Sequence, residues 1–394
     1  MRSRTAAVIL AALMTAATLT GCVANAPASG SGAGAAATAL TVSSTTDACT
    51  VSESTAPSGT VVFTITNTTD AATEFYLLAD DGLRIVGEVE NIAPGAPREL
   101  TLAIAPGDYY TVCKPGMTGD GIGKAVFTVT DSGAAVATGD EATRIEAAAT
   151  AYAAYVKDQV AQLVPATQTF LASYLAGDDA TARSLYATTR ASYERIEPVA
   201  ESFGHLDPAV DFREADVPAG EEWTGWHRIE KDLWPPADVG YVALTADQRS
   251  TYAQKLTSDT EALYDAVHAE DYSVSIDAIS NGAIALMDEV ASGKITGEEE
   301  IWSHTDLWDF QANLDGARVA YEGVRDIVRD SDPKLVTQID AEFASLQALL
   351  ATHGSLDSGF TSYTELSTAD VKKLADGINA LSEPLSHLTA ALVS

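Results

Sequence analysis

The apolar pattern of the chain changes once, across residues 132–140, and no other feature constrains the fold as strongly. Residues 40–131 alternate short β-branched runs, such as Thr60–Thr66, with turns rich in Gly, Pro, Asn and Asp. Short strands at regular spacing are typical of a β-sandwich. Residues 141–394 are rich in Ala, and their apolar residues recur with a helical period. The sequence therefore predicts a multidomain chain, in which an all-β sandwich (40–131) and a linker (132–140) precede an all-α domain (141–394).

Eight helices are predicted in the all-α domain. Their expected ranges are residues 141–176, 179–203, 221–234, 245–269, 272–292, 305–330, 333–353 and 368–393. Pro165, Pro198, Pro235 and Pro333 are expected to end or kink these helices, because proline lacks a backbone donor and clashes with the preceding turn. Eight helices in about 250 residues indicate two bundles packed together.

Residues 1–21 resemble a secretory signal peptide. Two arginines lie among the first four residues, and Ala6–Leu19 is an apolar run too short to span a membrane stably. The run ends in Leu-Thr-Gly-Cys22, which is similar to a bacterial lipobox, where the cysteine is lipidated. Residues 22–39 are mostly small and would form a flexible tether. The sequence predicts an extracytoplasmic protein that a lipid on Cys22 anchors to the cell membrane; the alternative is a secreted protein in which Cys22 has no role.

The formal net charge of −33 excludes one class of partner. A chain this acidic repels nucleic acid, and its sequence shows no basic patch that would bind a phosphate backbone. The same charge attracts cations, although such an attraction does not by itself define a site. We therefore expect no nucleic-acid partner. The net charge does not locate a cation site, so such a site has to be predicted from a local motif.

The strongest local motif is His227-x-x-Glu230, which lies in a segment rich in tryptophan. At a helical period, Trp223, Trp226 and Ile229 lie on one apolar arc, with His227 and Glu230 inside it or at its edge. Residues three apart are neighbours on a helix, so the imidazole and the carboxylate project together. Burial of a charged carboxylate is costly unless a cation or hydrogen-bond donors compensate it. The motif predicts a metal site, with a buried His–Glu hydrogen bond as the alternative.

Acidic residues are frequent just before this motif. They are Glu194, Glu197, Glu201, Asp207, Asp211, Glu214 and Asp216. A solvated helix face is the ordinary interpretation of such residues. Their proximity to the motif in the sequence also allows a pocket rich in carboxylates.

Four segments resemble those of a known family. They are Tyr193–Pro198, Phe203–Pro208, Trp226–Glu230 and His304–Asn313. In this order they resemble the EfeO family, the extracytoplasmic components of bacterial iron-uptake systems. Glu90–Gly95 is similar to part of the family's N-terminal domain, so the resemblance covers the whole mature chain. It implies a cupredoxin-like sandwich followed by an imelysin-like domain of two packed four-helix bundles.

The resemblance implies a function and a set of ligands. The function is to bind iron outside the membrane and deliver it to a membrane iron permease, with a haem peroxidase as a further partner in the same system. The ligands implied in the helical domain are Glu194, Asp211, His227 and Glu230. One position departs from the family, because His205 stands where an acidic or polar residue is expected.

The resemblance also implies a second metal site, for copper or iron, in the cupredoxin-like domain. Its candidate ligands are Cys49, Glu74, Glu90 and Cys113. A blue-copper centre needs two histidines and a cysteine, and no histidine precedes His205, so that centre is excluded. The alternative for the two cysteines is a disulfide, which an oxidising compartment favours.

Two other functions compete with iron uptake. Imelysin-like proteins have been grouped with peptidases, but a zincin helix needs a second histidine four residues after the first. Lys231 occupies that position here, so we expect no enzymatic activity. An adhesive or carbohydrate-binding role for the sandwich has no specific support in the sequence.

Overall fold

The computed structural model describes residues 37–117, 119–133, 140–237 and 240–392. The predicted signal peptide, Cys22 and most of the predicted tether lie outside the described residues, as does most of the predicted linker. Within the described part of the chain, no helix combines the length and the apolar character that a membrane span requires.

Among the residues that the structure describes, nine strands belong to the N-terminal domain. They are β1 (Thr38–Ser44), β2 (Cys49–Val51), β3 (Thr55–Pro57), β4 (Gly59–Asn67), β5 (Thr73–Leu78), β6 (Ile85–Ile92), β7 (Pro97–Ile104), β8 (Gly107–Pro115) and β9 (Ile122–Thr130). One sheet has the order β2-β1-β4-β7 and the other has the order β3-β9-β8-β5-β6. Strand β1 runs parallel to β4, β3 runs parallel to β9, and the other pairs are antiparallel.

Alternation of apolar and polar residues explains how the two sheets pack. In β4, Val61, Phe63 and Ile65 are buried and their neighbours are more exposed, as expected for a strand with one face in the core. The ring of Phe63 contacts those of Phe75 and Phe127 from the other sheet. Strand β5 is buried along its whole length, because its outer face packs against the helical domain. The structure confirms an all-β sandwich followed by an all-α domain.

Ten helices lie in the described part of the second domain. They are α1 (Glu141–Leu175), α2 (Asp179–Glu194), α3 (Leu206–Asp211), α4 (Trp226–Leu233), α5 (Ala246–Val267), α6 (Ile276–Ser292), α7 (Asp306–Ser331), α8 (Pro333–Leu350), α9 (Thr368–Leu385) and α10 (Leu388–Leu392). A short hairpin, β10 (Gly354–Ser355) and β11 (Gly359–Phe360), follows α8. Turns of 3₁₀ helix span Glu197–Phe203, Lys294–Thr296 and Tyr363–Glu365.

The helices pack in two groups. Helices α6, α7, α8 and α9 form a ring in which each contacts two neighbours, while α1 packs against α2 and α5, with α4 beside α2 and α5. Contacts of α7 with α1 and α2 join the groups. The segment between α6 and α7 lies against α4, since the backbone N–H groups of Trp302 and Ser303 donate to Glu230. The site described below lies where α2, α4, α7 and this segment meet.

Candidate metal centre

Helix α4 begins where the chain passes close to the end of α3. Gly225 precedes α4 with a φ of 86°, and a Cβ at this position would lie 2.2 Å from the carbonyl oxygen of Val210. Only glycine adopts this conformation and this approach without strain. The ring of Trp226 then packs against Phe170 and Tyr186 in the core. The helix is fixed at its start, and this sets the direction in which its next side chains point.

His227 is fully buried, and its two ring nitrogens have different surroundings. Nδ1 lies 3.3 Å from Oε2 of Glu230, within hydrogen-bond distance. Nε2 lies 3.6 Å from Glu299 and 3.7 Å from Asp211, and it has no hydrogen-bond partner among the described residues. Burial and Arg190 oppose protonation of the ring, but the interactions with Glu230, Glu299 and Asp211 raise the pKa of His227 to about 9.

Glu230 is also fully buried, and protein groups occupy both of its carboxylate oxygens. Oε1 accepts hydrogen bonds from the backbone N–H groups of Trp302 (3.0 Å) and Ser303 (2.7 Å), and Oε2 faces His227. Burial acts to raise the pKa of Glu230, but the interactions with His227 and the Ser303 N–H outweigh it and lower that pKa. This carboxylate is well placed to hold the imidazole in one orientation.

Glu194 and Asp211 lie at the same centre, and both contact Arg190. The guanidinium of Arg190 donates to each of their carboxylates. Burial raises the pKa of Asp211 to about 6, although Arg190 acts against this shift. Burial also acts to raise the pKa of Glu194, but Lys294 and Arg190 lower it overall. All four residues that were predicted as ligands in the helical domain therefore lie at one centre. Asp211 and Glu230 face His227, whereas Glu194 contacts Arg190 and Lys294.

Several members of the centre were not predicted from the sequence. They are Arg190, Lys294, Glu299, Glu300, Asp306 and Asp309. Glu299 and Glu300 belong to the segment between α6 and α7, where no helix was predicted. The only sequence signal for a site in this segment is the run of three glutamates at 298–300. Asp306 and Asp309 lie within the His304–Asn313 segment that carried the family resemblance.

Two other acidic residues near the motif form ion pairs outside the centre. Glu214 pairs with Lys231 and Asp216 pairs with Arg213, both towards the surface. His205 is exposed at the start of α3. Only part of the acidic stretch therefore belongs to the centre.

Among the described residues, two overlapping groups have ligand atoms close enough together to hold a metal ion. One consists of Asp211, His227 and Glu299, and the other of His227, Glu230 and Glu300. The first group fits a metal better, because it uses the unpartnered Nε2 and leaves Nδ1 to Glu230. Metal-bound histidines commonly donate their second ring N–H to a carboxylate in this way.

The centre holds more acidic than basic groups. Its eight carboxyl groups belong to Glu194, Glu197, Asp211, Glu230, Glu299, Glu300, Asp306 and Asp309, and its basic groups belong to Arg190, His227 and Lys294. Burial raises the pKa values of Glu197, Glu300 and Asp309 well above their ordinary values, which favours the protonated form of each group. Such a centre favours the binding of an additional cation, which can replace those protons.

A cavity of about 790 Å³ borders this centre. Asp211 and Glu299 lie in its wall. The other charged residues in the wall are Glu197, Asp207, Asp216, Glu289 and Arg213. The cavity offers a route by which a cation could reach the imidazole, and its charge would repel anions.

The four candidate ligands of the sandwich do not form one cluster. Cys49 and Cys113 are joined by a disulfide, the alternative that the oxidising compartment favoured, and in this form neither offers a thiolate. Cys113 pairs with Phe75 in the core, whereas Glu74 pairs with Lys114 and points to the opposite face of the sheet. Glu74 is buried and accepts a hydrogen bond from the Tyr76 hydroxyl (2.8 Å). Glu90 lies in β6, and its side chain is outside the described part of the structure.

The fold and the centre define a class of two-domain protein, in which a β-sandwich precedes helical bundles that enclose an imidazole among carboxylates. The imelysin family model, which also carries a peptidase name, matches residues 148–388. The chain is 37% identical over 314 residues to proteins named iron uptake system component EfeO from Escherichia coli (strain K12), Shigella flexneri and Shigella sonnei (strain Ss046). The aligned residues cover 79% of this chain and 80% of each relative. The chain belongs to the imelysin family and is of the EfeO type.

Proposed function

We propose that the protein binds iron as a component of an iron-uptake system. The observation that carries this proposal is the buried Nε2 of His227, which faces carboxylate oxygens of Asp211 and Glu299 and has no hydrogen-bond partner among the residues that the structure describes. The names of the relatives add the identity of the metal, since they are called iron uptake system components.

The ligand types support iron as the cargo. Carboxylate oxygens with one imidazole suit iron, and thiolates are not required. A transport site must also release its ion. The carboxyl groups of this centre bind protons readily, as the raised pKa values of Asp211 and Glu300 indicate. Protons can therefore replace the ion when it is handed over.

Capture outside the membrane and delivery to a permease form the rest of the proposal. The lipobox at Cys22 supports attachment to the cell membrane, and the small residues that follow it would let the protein reach a neighbouring permease. The relatives are components of a system, which implies partners. The partners that we propose are a membrane iron permease and a haem peroxidase.

We propose a binding role without catalysis, although the family model carries a peptidase name. Lys231 occupies the place of the second zincin histidine, and it pairs with Glu214 away from the centre. Glu230, the candidate general base, already accepts hydrogen bonds from two backbone N–H groups. These observations favour metal binding over peptide hydrolysis.

The experiment that tests the proposal replaces His227 with Ala and measures anaerobic binding of Fe²⁺ to the whole chain by calorimetry. We expect the affinity to fall by roughly 100-fold or more, because even an outer-shell partner of a metal is worth about 10–100-fold. Circular dichroism should show unchanged helical content.

The matched control is His205→Ala, which removes an exposed histidine of the same domain. Its iron affinity should equal that of the parent. If iron bound to the His227→Ala protein as tightly as to the parent, the centre described above would not be the iron site.

A further inference from the structure

We propose that the guanidinium of Arg190 occupies the position of a second metal ion, and that the centre would bind two ions without it. The carboxylates that would hold the second ion belong to Glu194, Glu300 and Asp309. This inference rests on the proposed function, because it concerns the same centre.

Arg190 is fully buried in α2, and carboxylates surround its guanidinium. Nη1 donates to Asp211, and Nη2 donates to Glu194. Nε lies 2.8 Å from an oxygen of Glu300 and 3.8 Å from Oδ1 of Asp309. Nη2 also lies 3.9 Å from Oε1 of Glu299. Arginine usually pairs with one carboxylate through two parallel hydrogen bonds. Here one cation faces five carboxylates from four parts of the chain, an arrangement similar to that of ligands around a metal ion.

Asp309 provides a second, independent observation. Its side chain is 1% exposed, and neither of its oxygens has a hydrogen-bond partner among the described residues. Arg190 Nε, at 3.8 Å, is too distant to donate to it. A buried carboxylate without donors is costly, so it is expected to have a cationic ligand or to hold a proton.

Asp211 links the two cation positions. It accepts a hydrogen bond from Arg190 and also lies 3.7 Å from Nε2 of His227, where we place the iron. Two-metal centres commonly hold their ions about 3.5–4 Å apart, close enough for one carboxylate to bridge them. The centre therefore resembles a two-metal site in which a side chain has replaced one ion.

The guanidinium of Arg190 is part of the protein, so it cannot leave with the cargo. It therefore neutralises part of the carboxylate charge permanently. Only the ion at His227 can then be exchanged, so the protein would carry one ion per chain. Arg190 would thereby set the stoichiometry of the centre.

The test compares the parent with Arg190→Gln, using the whole chain and Mn²⁺, which favours oxygen ligands and accepts imidazole. Titration calorimetry and elemental analysis should give one ion per chain for the parent and two for Arg190→Gln. Electron paramagnetic resonance of the variant should show two coupled Mn²⁺ ions, since ions in such sites lie about 3.5–4 Å apart. Addition of Asp309→Asn to this variant should restore a stoichiometry of one.

Arg195→Gln is the matched control, because Arg195 is the next arginine in the chain and pairs with Asp315 outside the centre. It should bind one ion. If the parent binds one ion and folded Arg190→Gln does not bind two, the inference is wrong. If the parent binds none, the proposed function fails and this inference fails with it. If Arg190→Gln does not fold alone, refolding with Mn²⁺ must yield a helical protein with two ions; any other result contradicts the inference.

Discussion

At the scale of single residues, His227 and Glu230 belong to one motif but have different surroundings. Nε2 of His227 faces two carboxylates and has no hydrogen-bond partner in the described part of the chain, whereas both oxygens of Glu230 already have protein partners. We therefore expect His227 to bind the metal and Glu230 to orient His227. A metal ligand and an outer-shell partner differ in how much affinity their loss removes.

This difference gives a prediction for Glu230 and Glu299. Glu230→Gln should lower the iron affinity by about 10–100-fold, as expected for an outer-shell partner. Glu299→Gln removes a carboxylate that lies 3.6 Å from Nε2, and it should lower the affinity further, to a value near that of His227→Ala. Calorimetry on the three variants would rank them. Equal losses for Glu230→Gln and Glu299→Gln would show that Glu230 is a direct ligand.

At the scale of elements, most predicted helices are present, and the differences have local causes. The predicted helix 179–203 ends as an α-helix at Glu194, and residues Glu197–Phe203 continue as a 3₁₀ helix that contains Pro198. The predicted helix 221–234 begins only at Trp226, because Gly225 has a positive φ. Of the two effects expected at Pro165, an end of the helix does not occur, because α1 continues through this residue to Leu175.

Gly225 provides a prediction at this scale. Gly225→Ala should destabilise the protein by at least about 2 kcal/mol, because it combines a positive φ with a contact to the Val210 backbone that cannot give way. Urea denaturation would measure the change. Gly323→Ala is the matched control, since Gly323 lies inside α7 with open space around it. That change should leave the stability unaltered or raise it by up to about 1 kcal/mol. A loss of similar size in both variants would contradict the role of the close approach at α4.

At the scale of the whole molecule, a buried ion pair joins the sandwich to the helical domain. Lys114 in β8 pairs with Asp158 in α1, and their side chains are 2% and 8% exposed. The side-chain amides of Gln159 and Gln162 also donate to Asp158. Nearby, Arg84 donates to the backbone carbonyl of Glu322 in α7 (3.3 Å). These contacts hold the two domains in a defined arrangement.

We predict that Lys114→Met destabilises the protein by about 3 kcal/mol, because it leaves a buried carboxylate without its cation. Lys372→Met is the control, since Lys372 pairs with Asp376 in an exposed ion pair. It should cost less than about 0.5 kcal/mol. Denaturation in urea measures both effects. If Lys114→Met had no larger effect than the control, the pair would not stabilise the domain interface.

The sequence by itself determined the order of the domains, because strand and helix periods are local properties that each segment carries. It also predicted that His227 and Glu230 lie side by side, since residues three apart on a helix are neighbours.

The tertiary structure decided which other residues lie at the centre. Glu299 and Glu300 come from a segment between two helices, and Arg190 comes from α2. Their meeting depends on how α2, α4 and α7 pack, and no local pattern encodes that packing. In the sandwich, too, only the tertiary structure decided which residues lie together. Glu74 and Cys113 were predicted as ligands of one site, but the register of β5 and β8 places them on opposite faces of one sheet.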